Sequence, residues 1–206
     1  MENTTSVHSV TDAISDSDFM RCFNMPSGTT ITGRASSIRN VFVAAIVSVI
    51  PPSAEEIRQV LSILETTPAT LECAYCGSRA TEWDHLRPLV NNGKPTGYAT
   101  CIRNLVPSCG KCNQSKGKSD WKTWMTSNAR FSPKSRGVAD LEARSLRLAR
   151  FEEWARCEPI RIEEQVNPEL WARYYKLQDE IIEKMREAQA LALEIAKPLK
   201  SSGAQF

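Results

Sequence analysis

The chain has 206 residues, about 41% apolar and 24% charged, with a net charge of +2. That length can bury one core of real size with a small satellite module, and the composition is ordinary for a globular protein. The longest apolar run, residues 41–50, is about half the ~20 residues of a membrane span, and the Ser/Thr-rich start lacks the basic and apolar regions of a signal peptide, so a cytoplasmic protein with no membrane partner is expected.

Residues 1–18 are polar, small and without periodicity, and are expected as a disordered tail. Residues 19–70 form an N-terminal helical region. Its stretch 37–50 is long enough for a helix yet rich in Val and Ile like a strand, and periodicity does not decide between them. Pro51-Pro52 breaks the chain. Ser53 and Glu56 then make an S-x-x-E capping box, and Ile57, Val60, Leu61 and Leu64 follow as one apolar stripe. Thr66-Thr67-Pro68 ends that helix. The region shows no chemistry of its own and is expected to pack on the cysteine-bearing module beyond it.

Residues 71–126 carry the motifs. Cys73 and Cys76 form one C-x2-C knuckle, and Cys109 and Cys112 form a second. Four thiolates complete a tetrahedral Zn²⁺ shell, and the absence of an export signal favours metal over disulfides. Gly77 and Gly110 are expected to supply backbone freedom at the knuckles. The remaining cysteines, Cys22, Cys101 and Cys157, are expected as small buried apolar groups. Between the knuckles a strand is expected at 81–86, a long turn at 88–98 and a returning strand at 99–105. A helix follows Cys112. Trp83, Trp121 and Trp124 are expected in the core around this staple.

Asp84, His85 and Asn113 are left over by the staple. A zinc staple holding a hard-metal site points to phosphodiester hydrolysis. His85 is one of two histidines, the other being His8 in the tail. Imidazole, with an unperturbed pKa of ~6.5, takes a proton from water near neutral pH, so His85 is the candidate general base, oriented by a carbonyl on one ring nitrogen. Asp84 alternates to the other face of a strand, so a bulge or a strand end has to bring both to one site.

The charge is uneven. Residues 101–156 carry twelve Lys/Arg and five acids, a net +7, whereas residues 1–72 are net −4. A basic stretch beside the metal motif suits a polyanion. Lys111, Lys118, Lys122, Arg130 and Arg136 are the candidate DNA contacts. The loop 87–98 and a helix at 140–157 bearing Arg144, Arg147 and Arg150 are both candidates to enter a groove.

Residues 127–206 form a C-terminal helical region. The 140–157 helix turns Leu141, Leu148, Phe151 and Ala155 to one side. A last helix opens on Asn167 as N-cap with Pro168 at its first position, and runs to about residue 196, where Pro198 stops it. Leu170, Tyr174, Leu177, Ile181, Ala188, Leu191 and Ile195 follow alternating three- and four-residue steps, interrupted by Lys184. That stripe suits either a homodimer seam or packing on the chain's own core.

The string C-x2-C, Asp-His, Asn-Leu-Val-Pro, C-x2-C-N-x2-K over residues 71–118 resembles the zinc-stapled HNH (ββα-metal) endonucleases. Its extension through Asp120-Trp121 and Trp124-Met125 resembles restriction-type members of prokaryotes. The three name-giving positions fall on His85, Asn104 and Asn113. The resemblance implies an α+β fold, a mostly helical chain around a small zinc-stapled, treble-clef-like ββα-metal module. It implies Asp84 and Asn113 as ligands of a catalytic Mg²⁺ or Mn²⁺, Asn104 as the residue that holds the loop around His85, and Lys116 as a phosphate contact. Many members have His at the position of Asn113; Asn is a harder ligand and favours Mg²⁺ or Mn²⁺. The implied activity is sequence-specific, restriction-type cleavage of double-stranded DNA by a prokaryotic or phage-encoded enzyme. The alternatives are a structure-selective or nicking nuclease of the same chemistry, and a non-catalytic zinc-stapled nucleic-acid-binding module.

Overall fold

The computed structural model describes residues 15–24 and 26–201. Most of the expected N-terminal tail, His8 and the last five residues lie outside the described residues. The chain divides into two compact units, residues 1–30 and 31–206. In the first, a short helix α1 spans Asp16–Cys22, and Cys22 is exposed rather than buried.

The second unit opens on helix α2, Ala35–Ala44, which settles the helix-or-strand question at 37–50 in favour of helix for its first part. Val43 in the helix and Val47 just beyond it are buried, while Val41, Val49 and Ile50 are exposed. The chain then runs extended beside Thr100. Thr100 N donates to Ser48 O and Ile50 N donates to Thr100 O, both at 2.9 Å. Helix α3, Ala54–Ile63, starts on the expected capping box: Ser53 Oγ accepts from Glu56 N at 3.2 Å and Glu56 Oε2 accepts from Ser53 N at 3.0 Å. Glu65 follows α3 in the left-handed region, φ 54°.

Strand β1, Glu82–His85, pairs antiparallel with β4, Leu105–Ser108, so that His85 faces Leu105 and Asp84 faces Val106. The returning strand is therefore 105–108 and not 99–105. Residues Ile102–Asn104 curl into a 3-10 turn instead, closed by Asn104 N on Cys101 O at 2.8 Å. The long turn between the strands carries a two-rung hairpin, β2 (Val90–Asn91) and β3 (Lys94–Pro95). Asn92 and Gly93 turn it, both at positive φ (49° and 75°), the conformation an Asn-Gly hairpin turn requires. Helix α4, Gly110–Lys116, leaves the second knuckle, and α5, Trp121–Met125, is capped by Asp120 Oδ1 on Thr123 N at 2.9 Å.

Helix α6, Leu141–Ala155, closes the core. Leu148, Phe151 and Ala155 join Val60, Leu64, Tyr75, Leu86, Val106, Trp121, Trp124 and Met125 in one cluster. Helices α3 and α6 and the β1–β4 module thus share a core. Trp83 is 37% exposed, because it points away from the cluster on a short strand, and Cys101 and Cys157 are only half-buried. The arginines of α6 are already engaged. Arg147 and Arg150 both hold the Glu65 carboxylate at 2.7 Å, and Arg144 holds Glu72, Asp140 and the Cys73 carbonyl. They tie α6 to the end of α3 and to the first knuckle.

Helix α7, Pro168–Ser201, starts as expected, with Asn167 Oδ1 accepting from Glu169 N and Leu170 N at 2.8 and 3.1 Å. Pro198 does not stop it; the helix passes through and continues to Ser201. A proline costs one internal hydrogen bond, and near an end there are few left to lose. The face of α7 toward α2 carries Tyr174, whose hydroxyl donates to Phe42 O at 2.8 Å, and buried Tyr175, Gln178 and Ile182. Leu177, Ile181, Leu191 and Ile195 of the expected seam stay exposed. No helix among the described residues is long and apolar enough to cross a membrane.

Candidate active site

The knuckles bring Cys73, Cys76, Cys109 and Cys112 together, with their sulfurs all within 4.8 Å of one another. A tetrahedral ion with bonds of roughly 2.3 Å spaces its sulfurs by about 3.8 Å, and Cys76 and Cys109 stand 3.8 Å apart. The four thiols therefore fit one metal ion. The thiols act on one another: hydrogen bonds from Cys112 and Cys73 lower the pKa of Cys76, and hydrogen bonds with Cys73 and Cys76 raise that of Cys112. Arg136 Nη2 donates to Cys112 Sγ at 2.9 Å. Its guanidinium is turned to the staple, where it offsets thiolate charge.

The two knuckle glycines differ. Gly77 sits at φ 74°, and a Cβ there would also collide with the Arg144 guanidinium. Gly110 has no such φ; a Cβ on it would meet only the end of the Glu82 side chain, Oε1, at 2.9 Å.

Asp84 is 5% exposed and anchored through one oxygen. Its Oδ2 accepts from the Tyr75 hydroxyl at 2.6 Å and pairs with Lys116 Nζ at 3.1 Å. Its Oδ1 has no partner among the described residues. Tyr75 is fully buried, edge-on to Trp124 at 5.2 Å, and burial, then the Asp84 charge, raises its phenol well above the ordinary value, so it is a donor at any working pH. Asn113, one turn into α4, is anchored in the same manner. Its Nδ2 donates to Glu82 Oε2 at 2.8 Å, leaving its own carbonyl oxygen unengaged. Glu82 and Asp84 are two apart on β1 and share the face toward α4.

Lys116 is buried, and its ammonium donates to His85 O at 2.8 Å and Gly117 O at 3.3 Å besides pairing with Asp84. An ammonium has three donors and all three are used. The phosphate contact expected of Lys116 is therefore corrected to a structural tie between α4, Asp84 and the His85 peptide.

His85 ends β1, which resolves the alternation problem: the strand stops and both Asp84 and His85 reach one cleft. Its Nε2 lies 3.0 Å from Thr100 Oγ1, a hydroxyl rather than the expected carbonyl. Its Nδ1 has no partner among the described residues. Burial pulls the imidazole below its ordinary value; the Asp84 charge opposes this and the Lys116 charge adds to it. Buried Asn104 clamps the turn after His85, accepting from Arg87 N at 2.9 Å and donating to Arg87 O at 3.0 Å and Ala99 O at 3.2 Å.

The cleft has a volume of about 840 Å³. Asp84, His85 and Asn113 line one side of it and α2 lines the other through Ser36, Arg39, Asn40 and Ala44. Lys118 is in the same cleft, 3.4 Å from Asn92 Oδ1. Lys111 is exposed on α4, Lys122 pairs with Glu152 at 2.9 Å, and Arg130 lies over the Phe131 ring. Tyr75, Glu82, Thr100 and α2 escape a reading by motif. A tyrosine inside a knuckle and a carboxylate two residues before Asp84 are weak signals that were there to use; Thr100 and Arg39 left none.

Residues 73–119 match the family model of the HNH endonuclease. A 57-residue stretch is 40% identical to the CRISPR-associated endonuclease Cas9 of Corynebacterium diphtheriae, covering 26% of this chain and 5% of that protein. No solved structure matches the chain.

Proposed function

We propose that the HNH endonuclease domain at residues 73–119 hydrolyses phosphodiester bonds of DNA in the cleft between β1, α4 and α2. One observation carries this reading. Asp84 and Asn113 are each pinned through one polar atom and each keep an oxygen for a cation, beside the His85 imidazole, whose pKa burial lowers. A carboxylate and an amide oxygen suit Mg²⁺ or Mn²⁺, and the four thiols suit Zn²⁺. When bound, the hard ion supplies charge stabilisation for the phosphorane and the leaving 3′ oxygen.

The chain's own residues do the rest. With Nε2–H given to Thr100, Nδ1 of His85 carries the lone pair and takes the proton of the attacking water. Asn104 fixes the peptides after His85, and Lys116 fixes the His85 carbonyl, so the ring enters the cleft in one orientation. Tyr75 and Lys116 hold the buried Asp84 carboxylate in place through Oδ2. The products carry 5′-phosphate and 3′-hydroxyl ends.

The similarity to the CRISPR-associated endonuclease covers the nuclease module alone, so it supports the chemistry and not a CRISPR setting. Sequence-specific, restriction-type cutting is the preferred subclass. One such site cuts one strand, and the exposed α7 stripe offers the seam for a second copy.

Plasmid cleavage with Mg²⁺ or Mn²⁺ tests the reading. Zinc-loaded wild type should nick or linearise the plasmid and His85→Ala should not. Wild type and variant equally inert across many DNA substrates would leave a non-catalytic binding module. Recurrent ends in a sequenced digest of unmodified genomic DNA support the restriction subclass, and random ends remove it.

A further inference from the structure

Helix α2 lies outside the matched nuclease module, in the acidic N-terminal part of the chain. It nonetheless builds one wall of the cleft. Ser36, Arg39, Asn40 and Ala44 fall at steps of three, one and four, which is one helical face, and all four line the cleft opposite Asp84, His85 and Asn113. Three of the four are polar, and Arg39 is the cation among them.

Arg39 is held by its stem and left open at its head. Its methylenes lie across the β2–β3 turn, so closely that a Cβ on Gly93 would come 2.8 Å from Arg39 Cδ. The guanidinium has no ion pair or hydrogen bond among the described residues. The nearby carboxylates of α7, Asp179, Glu180 and Glu183, border the groove on the other side of Arg39, and none is within ion-pair distance. Arg87, Arg103, Arg136 and Arg144, by contrast, each have partners. A half-buried guanidinium with a fixed stem and five unused donors gives up no protein partner to bind an oxyanion. Across the cleft, Lys118 supplies a second cation, and Asp84 is the carboxylate of the lining that a bound cation would neutralise.

We infer that Arg39 binds a DNA phosphate next to the one being cut, making α2 the substrate-facing wall of the site. This rests on the endonuclease reading for its substrate. Arg39 is a positioning residue: it anchors the backbone so that the scissile phosphorus meets His85, and it takes no part in proton transfer.

The test is fluorescence anisotropy of a short labelled duplex with the zinc-loaded full chain, across a salt series and without added Mg²⁺ or Mn²⁺. Each neutralised phosphate contributes about 0.9 to the slope of log affinity against log salt. Arg39→Gln should weaken binding roughly tenfold and flatten the slope by about 0.9, Arg39→Lys should restore the slope, and Asn40→Lys on the same face should steepen it. Arg58→Gln, which removes an exposed charge paired with Glu55 on α3, should leave the slope unchanged. An Arg39→Gln protein with wild-type affinity and slope overturns the inference. Should Arg39→Gln fail to fold by circular dichroism, exposed Asn40→Asp replaces it: weaker binding supports α2 as the DNA wall, and unchanged binding overturns it. If binding depends on Arg39 but wild type never cuts, the cleavage reading falls and α2 keeps its role. If wild type cuts and Arg39→Gln binds and cuts equally well, the inference falls alone.

Discussion

Asp84 and Asn113 are held alike, each through the atom that does not face the cleft. For Asp84 the anchor is Tyr75, so Tyr75→Phe removes a hydroxyl at 2.6 Å and keeps the ring against Trp124. Metal affinity and cleavage should both fall about 10–100-fold, read by Mn²⁺ titration and plasmid nicking, with little change in melting temperature. Lys116 predicts the reverse pattern. Lys116→Met leaves the Asp84 charge buried without its cation, a loss of about 3–5 kcal/mol by urea denaturation. Unchanged stability would put Lys116 back among the phosphate contacts. His85 sets the pH dependence. Its folded pKa is lowered, so its base form persists to more acid pH than in a free imidazole. Cleavage should rise with pH through a midpoint below ~6.5 and then level off; a midpoint above that value contradicts the burial of the ring. The resemblance named Asp84, His85 and Asn113, and all three line one cleft. It placed Lys116 wrongly, since a lysine one turn after a ligand looks the same whether it points to solvent or into the core.

At the scale of elements, the second knuckle belongs to both the cysteine cluster and the wall of the proposed active site. Cys112 is a thiol of the cluster and the next residue, Asn113, faces the cleft. Cys112→Ala should lose the bound metal and cleavage together, with the thermal transition shifted down or abolished, because metal binding here is folding energy. Arg136→Gln should keep the fold and shed zinc faster to a chelator, since a charge-assisted contact to Cys112 is lost. The capping box of α3 and the Asn-Gly turn of β2–β3 were legible because a few adjacent residues determine them. The returning strand was not. Asn104 spends its side chain on Arg87 and Ala99, which curls 102–104 and moves the strand to 105–108, and those contacts are set by the fold.

Across the whole molecule, the net charge of residues 101–156 proved a poor map of the surface. Lys116, Arg136, Arg144, Arg147 and Arg150 are spent on internal partners, whereas Arg39, from the acidic part of the chain, stands in the cleft. Local charge counts cannot register pairing across 70 or more residues, such as Arg144 with Glu72. The exposed stripe of α7 sets the expectation for assembly. Light scattering should give a dimer, and Leu177→Glu with Ile181→Glu should give a monomer that nicks plasmid without linearising it. Wild type that is monomeric while it linearises plasmid removes the seam. Central to the proposed mechanism is one module that would keep two ions apart. Electron paramagnetic resonance of Mn²⁺ titrated into zinc-loaded protein measures this directly. Wild type should bind one Mn²⁺ with zinc retained, and Asn113→Ala should lose the Mn²⁺ while zinc stays. No bound Mn²⁺ in wild type, or Mn²⁺ bound only as zinc is released, would contradict it.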